Sequence, residues 1–195
     1  YNRLLGNLRR VGLALALVAL VWFGRPEPWT FGIGLALVIL GEAVRFWAAG
    51  HLLKTQELVT SGPYRHTRNP LYLGRLLILS GLCLMANLPH RGSWVALAIG
   101  WLFFFGYYLP RKERVEPARL RGAHGEAYER YRRAVPALFP RLQPYPEGGT
   151  SRWSAARMRR NREHLMVLGL ALASAFWLWR MLAGGGAICK RRAGR

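Results

Sequence analysis

A chain of 195 residues suits one compact domain, and here a formal charge of +20 stands beside 52% hydrophobic residues. In a soluble nucleic-acid binder the basic residues would be spread among polar ones, whereas these come in blocks between long apolar runs, the pattern of a membrane protein with basic cytoplasmic faces. No groove-reading helix or aromatic-basic platform is recognisable, so nucleic acid is set aside as a partner; Cys83 and Cys189 support neither a disulfide framework nor a zinc site.

Val11 to Phe23 is a short apolar run that reaches spanning length only if Leu4 to Leu8 join its helix. Gly24-Arg-Pro-Glu-Pro28 lacks the small-x-small pattern of a signal-peptide cleavage site, so the run reads as a retained span followed by a tight turn. Trp29 to Leu53 is the second span; it holds Glu42 and Arg45 one turn apart, as a mutually satisfied ion pair or as a ligand contact. Lys54 to Pro70 is a polar loop. Leu71 to Leu88 forms the third span, interrupted by Arg75, which either snorkels or faces the loop. Pro89-His-Arg-Gly92 is a short turn, so the third and fourth spans form an antiparallel hairpin. The fourth, Trp94 to Leu109, ends in Trp101, Phe103, Phe104, Phe105, Tyr107 and Tyr108, a membrane-interface belt or the wall of a cofactor pocket.

From Pro110 to Glu163 the chain is hydrophilic and basic. Lys112 to Arg133 has helical character, with breaks expected around Pro117 and Gly122 to Gly125; Pro136, Pro140, Pro144 and Pro146 then give an extended stretch. Arg152 to Arg162 is a basic helical approach that suits contact with anionic lipid headgroups. His164 to Leu182 is a last apolar run that either spans or lies in the interface. The positive-inside rule puts 110 to 163 in the cytoplasm, and counting back puts the 54 to 70 loop on the same side. The expected fold is all-α, a polytopic membrane helical bundle of four or five spans with a cytoplasmic cofactor-binding cap. It forms a single domain over 1–195, with a core at 42–142 and a C-terminal extension at 150–195.

The most distinctive stretch is Leu58-Val-Thr-Ser-Gly-Pro-Tyr-Arg-His-Thr-Arg-Asn-Pro-Leu-Tyr-Leu-Gly74. Pro63 and Pro70 bias the residues before them away from the helical region and Gly62 frees the backbone, so an ordered, non-helical loop is expected. Tyr64 and Tyr72 frame it as interfacial anchors or as ligand contacts, and Arg65, Arg68 and Arg75 can meet lipid phosphates. His51, His66, His90, His124 and His164 share no ligand spacing, so no metal is expected.

This stretch resembles the hallmark of the isoprenylcysteine carboxyl methyltransferase and phospholipid methyltransferase superfamily. Glu116-Pro-Ala-Arg-Leu-Arg-Gly-Ala-His-Gly-Glu-Ala-Tyr-Glu-Arg-Tyr-Arg-Arg-Ala-Val-Pro136 looks like the second block of the same family, in the right order after a helical hairpin. The chain departs from the family pattern at Asn69, where a His usually precedes the proline, at Pro117, where a second Glu is usual, and at His124, where a Phe is usual. The resemblance implies methyl transfer from S-adenosylmethionine, leaving S-adenosylhomocysteine, in a helical membrane fold. By family position the cofactor lies against Gln56, Glu57, Leu58 and Val59, with Tyr64, Asn69, Pro70, Leu71 and Tyr72 completing the pocket. Glu116, with Lys112 one turn before it, faces the reacting end.

Methyl transfer from a sulfonium disperses positive charge, so an apolar, water-poor pocket and good positioning supply much of the catalysis. A carboxylate or thiolate acceptor needs orientation by Lys112 or Arg114 and little more. An amine acceptor needs a base, for which Glu116 is the candidate. The leading expectation is methylation of a lipophilic, membrane-borne carboxylate or thiol in the bacterial cytoplasmic membrane, with the site facing the cytoplasm. The alternatives are phospholipid N-methylation and a cofactor- or lipid-binding protein without catalysis; a reductase of related architecture would bind a nicotinamide instead.

Overall fold

The computed structural model describes residues 11, 12, 15, 17–52, 58–161 and 163–193, with the backbone alone at 116–121, 123, 124 and 184–193. Among the described residues the regular structure is helical throughout. After α1 (17–23) come α2 (Pro28–His51), a 3-10 turn (Gly62–Arg65), α3 (Pro70–Ala86), α4 (Gly92–Phe103), a π-turn (Phe104–Tyr108), α5 (Leu109–Ala134), α6 (Ala155–Arg160) and α7 (Glu163–Ala193).

Three stretches, Pro28–His51, Gly92–Val115 and Glu163–Ala183, are long and apolar enough to cross a membrane. The helix α3 is apolar but has only 17 residues, about 26 Å at the α-helical rise, slightly less than the thickness of a hydrocarbon core. The outer faces carry Ile33, Leu40, Val95, Leu102 and Leu172 exposed, as a lipid-facing surface requires. The chain is a helical membrane bundle.

Proline sets both helix starts at the heart of the fold: Pro28 and Pro70 open α2 and α3, where a missing N–H costs nothing. The two helices then pack antiparallel through paired glycines. A Cβ at Gly34 would stand 2.5 Å from the Gly81 carbonyl oxygen, and one at Gly41 would stand 2.7 Å from that of Gly74. Within each helix the two glycines are seven residues apart, so both contacts fall on one stripe and the backbones meet along it.

At one end, which we call the turn end, Phe31, Val38, Ile78, Leu82, Met85 and Trp177 form the main core. Trp177 of α7 is fully buried and donates its indole N–H to the Val21 carbonyl at 3.0 Å. At the other end of α7, Glu163 meets Arg45 of α2 at 2.5 Å. The helix α7 therefore runs antiparallel to α2 over the same depth, so the last apolar run follows a spanning course rather than an interfacial one.

The expected breaks in 112–133 need correcting. The helical backbone continues through Pro117, and the one non-helical residue within α5 is Gly125, at φ 49 and ψ −124, a conformation that glycine adopts without a Cβ penalty. A deformation that sequence reading missed lies upstream. Pro110 has no N–H to return to the preceding turn, and the chain widens there: the Leu109 N–H bonds the Phe104 carbonyl, five residues back.

Candidate active site

The end of the bundle opposite the turn end, called the loop end here, is built by the 58–70 loop meeting residues 131–149. The N–H of Arg68 donates to Pro136 O at 2.9 Å, that of Arg141 to His66 O at 3.0 Å, and that of Tyr145 to Arg65 O at 2.9 Å. The Tyr131 hydroxyl donates to Tyr64 O at 2.7 Å, and Thr67 Oγ1 to Leu138 O at 2.9 Å. The Arg65 side chain returns the contact, Nε donating to Tyr145 O at 3.0 Å. The extended, proline-rich stretch thus leaves its backbone groups free to pair with a loop instead of with a helix. Beneath this seam Tyr128, Tyr131, Val135 and Tyr145 form a buried cluster against which Leu58 packs.

Asn69 is where loop and helix α5 come together. It is 2% exposed. Its Nδ2 donates to Glu113 Oε1 and to Ala137 O, both at 2.8 Å, and its Oδ1 accepts from Lys112 Nζ. Glu113 also pairs with Arg68 at 2.8 Å. An amide supplies two donors and an acceptor, whereas a neutral imidazole at this position has one of each; all three are used here.

Lys112 in turn lies 4.2 Å from the centroid of the Tyr72 ring, and Arg75 lies 5.1 Å from it. Arg75 donates to the Tyr108 hydroxyl at 2.6 Å, and the Tyr72 and Tyr108 rings are 5.1 Å apart. Arg75 thus reaches Tyr108 and the Tyr72 ring from an exposed position on α3. Tyr108 is the last residue of the π-turn, so the widened turn helps set where this ring points. Leu76, Phe104 and Leu138 close an apolar floor. The result is a packed aromatic and apolar cluster edged by Lys112, Arg68, Arg75 and Glu113.

Of the residues expected at the site, Asn69, Pro70, Tyr72 and Lys112 come together, with Tyr64 buried next to them in the loop and Leu58 and Val59 half-buried at its start. Leu71 contributes its carbonyl to Arg45, at 3.5 Å. Arg114 is exposed and stands outside this network among the described residues. Gln56 and Glu57 lie outside the described residues, as does the side chain of Glu116. The carboxylate that meets Asn69 is Glu113, which sequence reading passed over. Its only signal was its place one residue after Lys112, inside a run of charges.

Lys112 and Arg68 are cations that can meet a carboxylate, and Tyr72 and Tyr108 are rings that can face a positive charge, while Glu113 is already paired with Arg68 and Asn69. Among the described residues no three His, Cys, Asp or Glu side chains stand close enough to hold a metal ion.

The phospholipid methyltransferase family matches residues 29–115. The cobalt-zinc-cadmium resistance protein CzcN of Cupriavidus metallidurans is 34% identical over 151 residues, 75% of this chain and 66% of that protein. The nickel-cobalt-cadmium resistance protein NccN of Alcaligenes xylosoxydans xylosoxydans is 29% identical over 143 residues, 72% and 64% of the two chains. The protein-S-isoprenylcysteine O-methyltransferase of Rattus norvegicus is 32% identical over 126 residues, 57% of this chain and 42% of that one. The chain thus spans just under two thirds of the two bacterial relatives and less than half of the rat enzyme. No solved structure matches the chain. The matched family segment holds the helical hairpin and the loop, and the isoprenylcysteine methyltransferases match alongside it: the chain belongs to the superfamily of phospholipid and isoprenylcysteine carboxyl methyltransferases.

Proposed function

We propose that this chain transfers a methyl group from S-adenosylmethionine to a lipophilic, membrane-borne carboxylate or thiol, with its site on the cytoplasmic side of a bacterial membrane. The observation that carries this reading is the convergence of Asn69, Lys112, Glu113 and Tyr72 at the loop end, where a soluble cofactor and a lipid-borne acceptor can meet. The cofactor supplies an electrophilic methyl on a positive sulfur. The protein's part is to hold and orient: Tyr72 and Tyr108 offer ring faces to positive charge, Lys112 orients a carboxylate, and the apolar floor keeps water away. Glu116, one turn beyond Lys112, is the residue we assign to the reacting end, with Arg114 as a second cation for an anionic acceptor. Gln56, Glu57, Leu58 and Val59 are assigned to the cofactor on the resemblance.

Lys112 and Arg114 can orient an anionic acceptor directly, whereas an amine acceptor needs a base such as Glu116. Phospholipid N-methylation is therefore the second reading. Two bacterial relatives carry metal-resistance names; on this reading such a role would act through a methylated lipophilic product.

Calorimetric titration with S-adenosylmethionine and S-adenosylhomocysteine tests the site. Asn69→Ala, Lys112→Met and Tyr64→Ala should each weaken binding about tenfold, the loss of a charge-assisted hydrogen bond or its support; binding indifferent to all three removes the assignment. Incubation of membranes with labelled cofactor should give a methylated lipid-phase product that mild base hydrolyses if it is an ester. A base-stable product points to an amine or thioether, and no lipid-phase label sinks the activity.

A further inference from the structure

At the turn end, away from the proposed transfer site, the two short connections of the bundle sit directly on one another. The Arg25 N–H donates to Ala86 O at 2.7 Å, and Asn87 Nδ2 donates back to Arg25 O at 3.1 Å. Ser93 Oγ accepts the Leu88 N–H at 2.8 Å, which fixes the second turn against α4. Asn87, His90 and Arg91 all hold positive φ, at 41°, 54° and 61°. That left-handed course folds the turn back over the first connection.

Between them lies an open cavity of about 350 Å³, lined among others by Arg25, Glu27, Asn87, His90, Arg91 and Trp94. The volume falls within the range of small-ligand sites, about 300–1,000 Å³. Along the sequence each turn carries a single arginine and looks poor in basic residues; the fold puts both arginines on the lining of one cavity. No ion pair to Arg25 or Arg91 occurs among the described residues. The one carboxylate on the lining, Glu27, already accepts the Trp29 indole N–H at 3.0 Å. Trp29 and Trp94 are 63% and 60% exposed at the first turns of α2 and α4, the level at which tryptophan marks the boundary between acyl chains and water. Unpaired guanidinium groups at that depth face the layer of lipid phosphates, which they bind through short, forked, charge-assisted hydrogen bonds.

We propose that this cavity is a phosphate site that takes the phosphodiester headgroup of an anionic membrane lipid, held by Arg25 and Arg91 with Trp94 against its glycerol. Such a lipid ties the α1–α2 and α3–α4 turns to one another and to the leaflet opposite the transfer site. It does not depend on the catalytic reading.

The full chain, purified in detergent and delipidated, is offered phosphatidylglycerol in phosphatidylcholine nanodiscs and examined by native mass spectrometry and thermal unfolding. The parent should retain phosphatidylglycerol through detergent washing and unfold at a higher temperature with it than in phosphatidylcholine alone. Arg25→Gln/Arg91→Gln should retain about tenfold less and lose the thermal shift, a difference of about 1.4 kcal/mol. The two single substitutions should each give part of the loss, which keeps the test alive if the double variant folds poorly. Arg132→Gln/Arg133→Gln, exposed at the loop end, should leave retention at the parent level. Retention unchanged in Arg25→Gln/Arg91→Gln, or lost equally in the loop-end pair, overturns the site. If inorganic phosphate reproduces the shift in phosphatidylcholine nanodiscs, the ligand is a free anion and the lipid assignment falls.

Discussion

Arg45 of α2 reaches Glu163 at the start of α7, Nη2 lying 2.5 Å from Oε2 with both side chains almost wholly buried. Glu42, one turn before Arg45, stands 3.8 Å from its Nε, and neither Glu42 oxygen has a hydrogen-bond partner. The close pair therefore has its partner on α7 and not on its own helix. Removing one member of a buried pair leaves an uncompensated charge, which costs about 3–5 kcal/mol. Glu163→Ala should lose most of that, lowering the unfolding temperature sharply, while Glu42→Gln should cost much less. Equal shifts for the two variants would show that α7 is not held by this contact.

The glycine stripe between α2 and α3 makes a second, directional expectation. A methyl at Gly81 would press within 2.5 Å of the Gly34 carbonyl, whereas a Cβ at Gly169 on α7 meets nothing within 4 Å. Overpacking of this kind costs about 1–3 kcal/mol, so Gly81→Ala should destabilise the bundle. Gly169→Ala should be neutral or gain up to about 1 kcal/mol in helix propensity. Unfolding midpoints in the same detergent check both.

The seam at the loop end can be loosened one bond at a time. Tyr131→Phe removes the hydroxyl that bonds Tyr64 O, and Thr67→Val removes the one that bonds Leu138 O, without opening a large cavity. Each should cost about 1–2 kcal/mol, since a buried carbonyl is left short of a donor. Limited proteolysis should then cut between 58 and 70 faster in both variants; unchanged cleavage would mean that the loop is fixed elsewhere.

Pro110 offers a test in which stability and function part company. Pro110→Ala restores an N–H and allows the widened turn at 104–108 to relax into ordinary α-helix. Its unfolding midpoint should rise. On the proposed function, methyl transfer should fall several-fold, because Tyr108 would leave the ring face it shares with Tyr72. A variant that is both more stable and fully active would strip the π-turn of any part in the site.

The helices were legible in the sequence because apolar runs, helix-starting prolines and blocks of arginine each leave a local signature, and the loop was legible because Pro63 and Pro70 restrict the backbone while Gly62 frees it. What escaped depended on long-range pairing. Glu113 resembles its neighbours in a charged run, and only the fold turns it towards Asn69. Glu163 lies 118 residues from Arg45, and nothing local marks it as a buried partner. The π-turn escaped because the expected span stops at Leu109, whereas a widened turn lets the helix continue through Pro110.

Most bonds across the loop-end seam finish on main-chain atoms: Arg68, Arg141 and Tyr145 through their amides, Tyr64, Pro136 and Leu138 through their carbonyls. Main-chain groups are the same in every residue but proline. The three amide-to-carbonyl bonds of the join are therefore blind to side-chain identity, while Thr67 and Tyr131 hold it through their hydroxyls; other side chains around it can change to fit a different acceptor while the alignment of loop and helix stays as it is.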